Sequence, residues 1–259
     1  MTRRTKSGAA PDTRASHLDE GPDYHARFER HAWRAILWEL EREILLDVVA
    51  RRLPDARSAS LLDFACGTGR ILSVLETRVG EAVGVDVSES MLAVAKEQLG
   101  HARLLCCDLT REPALEGRRF DLITAFRFFP NAEPALRDEA MARLRGLLAP
   151  GGVLVYNNHL RCGSASLRWD GLLRRLRLRG RKKRRHCMSD AEMDRLAAAH
   201  GLRIVESHAI GVLPVLKERR PLLGRWLTRR IERGARRLPA LRRLAATRID
   251  VCQAAPAGD

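Results

Sequence analysis

Leu61-Leu62-Asp63-Phe64-Ala65-Cys66-Gly67-Thr68-Gly69-Arg70 is the stretch that decides the fold of this 259-residue chain. Residues 61–65 are apolar but for one acid, which predicts a short buried strand. Gly67 and Gly69 come next, and glycine lets a backbone take positive φ and approach a ligand closely. Over 70–78, Ile71, Leu72 and Leu75 share one side at helical spacing. Strand, glycine turn and helix in that order predict an open α/β sheet that binds a nucleotide outside the strand's carboxyl end.

The turn is not a dinucleotide fingerprint, because G-x-G-x-x-G would need a third glycine where Leu72 stands. Asp63 lies inside the first strand. Asp86 closes a second one, Ala82-Val83-Gly84-Val85-Asp86, seventeen positions beyond Gly69. A carboxylate there has lone pairs for both ribose hydroxyls. The ligand expected is a nucleoside without a pyrophosphate.

The segments D-F-A-C-G-T-G-R and V-G-V-D-V-S resemble the first two motifs of the class I S-adenosylmethionine-dependent methyltransferases. The resemblance implies a doubly wound, mostly parallel seven-stranded sheet, S-adenosylmethionine as cofactor and methyl transfer as activity. It implies that the glycine loop, with Gly67 and Gly69, faces the methionine part of the cofactor and that Asp86 holds the ribose. It extends the cofactor site to Asp63, Ala65, Thr68, Val87, Met91, Leu109 and Phe126. In similar enzymes a Tyr and an Arg ahead of the core fold over the cofactor, a role implied here for Tyr24 and Arg27. An acid after the third strand sits beside the adenine amino group in the family, which points to Asp108. The alternative for Asp108 is a cap on the next turn.

Residues 1–22 are polar and basic and are expected as a disordered leader. Residues 23–54 are expected as an N-terminal helical cover, with a helix over 26–52 in which Trp33, Ile36, Leu37, Leu40, Ile44 and Val48 recur at three and four. The methyltransferase core is expected over 55–160 and 186–210 with 248–253. Within it, Ser88 caps a helix running to 99. Strands three and four are expected at 102–106 and 120–126, and a helix at 134–148. Ala149-Pro150-Gly151-Gly152 then turns into a strand at 153–156, and this turn resembles the family's L-x-P-G-G motif. Ser189 caps a helix over 190–200. A strand follows at 202–207, and a last, antiparallel strand at 248–252.

The acceptor side is expected where strands four and five end. Arg127-Phe128-Phe129-Pro130-Asn131 follows strand four. Arg127 can meet an anionic group, and the phenylalanines either wall the pocket or pack beneath a helix. Strand five empties into Asn157-Asn158-His159. An imidazole titrates near neutrality and can take a proton from a hydroxyl. His159 is the best placed base, with His186 and His208 as alternatives. Arg127 and His159 are therefore the catalytic candidates, for transfer to oxygen on a small-molecule, glycan or lipid-linked acceptor. No acid cluster of the metal-dependent type is present, and no metal is predicted.

The net charge is +15, and it is unevenly placed. The two segments expected as basic helical insertions, 161–185 and 211–247, carry most of it. In 168–185 Trp169, Leu172, Leu173 and Leu176 recur at helical spacing. Leu223, Trp226, Leu227, Ile231, Leu238 and Leu241 do the same in 221–245. Both are expected as a cap whose apolar faces close the acceptor pocket. Basic amphipathic helices also fit RNA phosphates or an anionic membrane surface. Nucleic acid is disfavoured, because no recognised RNA-binding module flanks the core and no N-P-P-Y type sequence follows strand four. A non-catalytic cofactor-binding scaffold stays open beside these. The six cysteines show neither C-x-x-C nor metal spacing and are expected in a reduced, cytoplasmic setting, with peripheral contact at the inner membrane surface as an option.

Overall fold

The computed structural model describes residues 32–159, 161–176, 187–213 and 223–256. The leader, Tyr24, Arg27 and His186 lie outside the described residues. The elements follow in the order α1 (Ala32–Arg52), β1 (Ser60–Phe64), α2 (Leu72–Leu75), β2 (Glu81–Asp86), α3 (Glu89–Gln98), β3 (Arg103–Cys106), β4 (Phe120–Ala125) and α4 (Pro134–Leu147). Then come β5 (Leu148–Asn158), α5 (Ala165–Arg175), α6 (Asp190–Ala199), β6 (Leu202–Ile210), α7 (Arg225–Ala235), α8 (Pro239–Arg242) and β7 (Thr247–Ala254). The seven strands form one sheet in the order β3-β2-β1-β4-β5-β7-β6. All neighbours are parallel except that β7 runs antiparallel to β5 and β6.

Successive side chains of a strand point to opposite faces, and here the two faces build two cores. Leu61, Leu122, Val153, Val155 and Val251 pack beneath α1 and α2. Leu62, Ile123, Leu154 and Tyr156 pack beneath α4 and α6. The reversal of winding falls between β1 and β4, so a crevice opens outside their carboxyl ends. Ser88 caps α3 by accepting from the Met91 N–H, and Ser189 with Glu192 forms a capping box on α6.

Several local expectations are corrected. The helix after the glycine turn is one turn, Leu72–Leu75, and not 70–78. Thr77, Val79 and Gly80 are poor helix formers, and Glu76 instead accepts the backbone N–H groups of Gly100, His101 and Ala102. Strand five absorbs its own turn and runs on to Asn158, paired with β7 to its end. Cys162 and Cys187 form a disulfide, against the reduced setting expected for the cysteines. Their spacing of 25 gave no sign of it. The bridge between Arg161 and Met188 brings their Cα atoms to 5.2 Å.

The basic segments do form helices, but turned the other way from expectation. Trp169, Leu172 and Leu176 of the first segment are exposed, as are Trp226, Leu227, Ile231 and Leu238 of the second. The buried face of α7 is Thr228, Glu232 and Ala235. Glu232 accepts the N–H groups of Gly211, Val212 and Leu213 and so terminates β6. The arginine side of α7 lies on α1, where Glu39 pairs with Arg225 and Arg229, and Glu43 with Arg229, Arg233 and Arg236.

Candidate active site

A cavity of about 690 Å³ opens at the carboxyl ends of β1, β2 and β4. Its lining includes Asp63, Ala65, Gly67, Thr68, Asp86, Val87, Met91, Asp108, Leu109 and Phe126, as well as Arg127 and His159. Of the expected cofactor residues that are described, Gly69 alone is not on its wall. A Cβ at Gly69 would stand 2.8 Å from Leu99 Cδ1 and 3.1 Å from Ala95 Cβ, so this glycine lets the loop pack on α3. Gly67 has φ +55 and open space where its Cβ would be. Its N–H donates to Asp86 Oδ2 at 2.8 Å, and the Ser88 N–H donates to Asp86 Oδ1 at 3.0 Å.

Asp63 sits at the cavity floor with 1% of its surface exposed. Oδ1 accepts from Thr124 Oγ1 at 2.6 Å, and buried Oδ2 has no hydrogen-bond partner. Burial pushes its carboxyl up to about 7, although Thr124 and Arg70 pull the other way. A buried acceptor without a partner costs free energy unless a ligand satisfies it. Asp108 plays the capping role: Oδ1 accepts from the Thr110 N–H at 3.0 Å and its hydroxyl at 2.6 Å, while the residue still lines the cavity.

The lining also carries arginines. Arg127 is in the left-handed region at φ +63, as is Ala65 at φ +54. Such a conformation in a residue with a Cβ is costly and is held by its surroundings. Here Asn157 Oδ1 accepts the Arg127 N–H at 2.7 Å, and Asn131 Nδ2 donates to the Arg127 carbonyl at 2.6 Å. The Arg127 guanidinium lies 3.5 Å from Glu41 Oε2, and that of Arg70 lies 3.6 Å from the same oxygen. Glu41 is fully buried and accepts from Asn157 Nδ2 at 3.2 Å through Oε1. Arg70 also stacks 4.5 Å over the Trp38 ring. Arg161, another lining residue, is bound by Asp190.

Glu41, Arg70, Asn157 and Arg161 were not singled out as site residues. Glu41 left a legible sign, since it is an acid on the apolar stripe of Leu37, Leu40, Ile44 and Leu45. Phe129 is a core residue, edge-on to Tyr156 at 5.3 Å, whereas Phe128 packs on Phe64 at 4.8 Å and reaches the cavity. His208 is not on the wall and pairs with Glu206 at 2.7 Å. Among the described residues, no group of three or more His, Cys, Asp or Glu is arranged to hold a metal.

Residues 61–152 match the profile of a family described as "Methyltransferase domain". Trans-aconitate 2-methyltransferase of Variovorax paradoxus is 33% identical over 142 residues, covering 53% of this chain and 49% of that one. The dTDP-3-amino-3,6-dideoxy-alpha-D-glucopyranose N,N-dimethyltransferase of Streptomyces fradiae is 36% identical over 141 residues, covering 54% and 48%. The chain thus spans about half the length of the curated relatives it matches. In fold it is similar to magnesium protoporphyrin IX methyltransferase of Synechocystis PCC 6803, with TM-score 0.60, 13% identity and coverage of 93% and 99%. Residues 61–152 therefore match a methyltransferase domain, and the seven-stranded sheet shares its fold with a solved methyltransferase structure.

Proposed function

We propose that this cavity binds S-adenosylmethionine and that the chain transfers its methyl group to an anionic small molecule, on oxygen. One observation carries this: the cavity lining holds both acids and arginines. Asp63, Asp86 and Asp108 line it at or just after β1, β2 and β3, and Arg127 lines it just after β4. The acids fit the donor. The Asp63 oxygen without a partner suits the α-ammonium group, and ionic pairing there would remove the cost of burying the carboxylate. The Asp86 carboxylate, held at the end of β2 by the Gly67 and Ser88 N–H groups, suits the ribose hydroxyls. Asp108, on the cavity lining just after β3, suits the adenine amino group.

When bound, the sulfonium supplies an activated methyl group, and the protein's task is position and proton handling. The Arg127 guanidinium lines the cavity beside Glu41, and a guanidinium there suits an acceptor anion. The acceptors in the two relatives' names, an aconitate and a dTDP-sugar, are both anions. Orienting acceptor and donor in this way is worth about 7–11 kcal/mol. His159 is the one histidine among the described lining residues, and it takes the proton when the acceptor is a hydroxyl. A carboxylate acceptor needs no proton removal. The sugar relative's name specifies nitrogen, so the test must separate the two atoms. The full chain is incubated with methyl-labelled cofactor and a panel of polycarboxylates, sugar phosphates and amino-sugar phosphates. Label in the carboxylates or sugar hydroxyls supports the proposal. Label only in the amines would overturn oxygen as target, and label only in uncharged acceptors would overturn the anionic one.

A further inference from the structure

All the large apolar side chains left exposed among the described residues lie in two stretches, 167–176 and 223–238. They are not scattered along those stretches. On α5, Trp169, Leu172 and Leu176 stand at i, i+3 and i+7 and make one stripe. Leu176 is 57% exposed. Leu167, on the opposite side of that helix, lines the cavity. On α7, Trp226, Leu227 and Ile231 make a second stripe, and Trp226 is 69% exposed with Arg230 stacked 4.9 Å from its ring.

The second helix is inside out. A soluble helix on a core buries its apolar stripe and wets its charges. Here α7 turns its arginines onto Glu39 and Glu43 of α1, buries Glu232 and Thr228, and faces water with tryptophan, leucine and isoleucine. The ion pairs hold it in that orientation. Exposed apolar stripes of this size mark an interaction surface.

We propose that α5 and α7 dock the protein peripherally on an anionic lipid surface. Charge complementarity selects the occupant. Residues 177–185 hold seven arginines and lysines directly after Leu176, and Lys217, Arg219 and Arg220 stand just before Leu223. An apolar stripe that enters the headgroup boundary, abutted by a basic run, is the pattern that anionic membranes bind. A second copy of this chain would bring the same excess of positive charge. RNA phosphates would be met by the arginines and would leave the apolar stripes uncovered. The helices α5 and α7 follow β5 and β6, whose carboxyl ends lie at the same edge of the sheet. Leu167 of α5 lines the cavity, so docking through α5 sets the lipid surface beside an element of the cavity wall.

The test is flotation of the full chain with phosphatidylcholine vesicles, with and without phosphatidylglycerol, beside two double variants, Leu172→Ser with Leu176→Ser and Trp226→Ser with Leu227→Ser. These side chains are exposed, so the fold should hold, and unchanged binding of S-adenosylhomocysteine by calorimetry checks that it does. If S-adenosylhomocysteine does not bind even the parent chain, an unchanged thermal midpoint serves instead, and flotation still decides docking. The expected result is flotation only with the anionic vesicles, lowered about tenfold or more by each pair, since each removes two side chains from an apolar phase. Flotation with neither vesicle overturns the proposal. Binding that salt abolishes and the serines leave unchanged overturns it in favour of a polyanion such as RNA. A concentration-dependent dimer dispersed by the same serines overturns it in favour of a second copy.

Discussion

Asp63→Asn should stabilise the protein without ligand at alkaline pH and weaken cofactor binding at the same time. The carboxyl is fully buried, and burial pushes it from 3.8 up to about 7. Between about pH 4 and pH 7 the folded protein thus holds a proton that the unfolded chain has released. The stability linked to this proton is full below about pH 4 and is lost as pH rises through 7. A rise of that size corresponds to roughly 4 kcal/mol at about 1.4 kcal/mol per pH unit. The asparagine carbonyl can still accept from Thr124, but its amide is a new buried donor that costs about 1–3 kcal/mol. The net gain at pH 8 is then about 1–3 kcal/mol, or about 2–4 °C in thermal midpoint for each of those. Losing a charged hydrogen bond to the donor's ammonium costs about 1.5–3 kcal/mol, roughly 10- to 100-fold in affinity. Thermal melts from pH 5 to 8 and calorimetric titration with S-adenosylmethionine measure both. A variant that melts no higher at pH 8 and binds as tightly as the parent would refute the assignment of Asp63 to the donor's ammonium.

Glu41→Gln removes the carboxylate shared by Arg70 and Arg127 and should cost about 3 kcal/mol in chemical denaturation. Arg127→Gly should leave stability within about 1 kcal/mol, because glycine relieves the left-handed strain, yet raise KM for the true acceptor at least tenfold. An unchanged KM would remove the guanidinium from acceptor binding. Gly67→Ala and Gly69→Ala should differ in kind. Both are strained at positive φ, but at Gly67 the new methyl enters the cavity and cofactor affinity falls, whereas at Gly69 it strikes Leu99 and stability falls by about 1–3 kcal/mol with affinity kept.

The strands around the cavity were legible because each is a short apolar run closed by a glycine, a proline or a capping serine, and those signals are local. Asp63, Gly67 and Asp86 were legible for the same reason. Glu41 was not assigned, because its partners Arg70 and Arg127 lie in other elements and only the tertiary fold brings all three together. The facing of α5 and α7 was read the wrong way round. Amphipathic spacing says that a helix has two faces and not which one meets the protein. For α7 the choice rests on Glu39 and Glu43, 186 to 193 positions away from the arginines they bind. The Cys162–Cys187 pair was hidden likewise, since it depends on the bridge between Arg161 and Met188.

Calorimetric titration of the full chain and of Asp86→Ala with S-adenosylmethionine bears most directly on methyl donor binding in this cavity. The parent should bind one equivalent. The variant, having lost up to two charged hydrogen bonds of about 1.5–3 kcal/mol each, should bind at least about 100-fold more weakly. A parent that gives no binding heat at any temperature, or a variant with unchanged affinity, would contradict it.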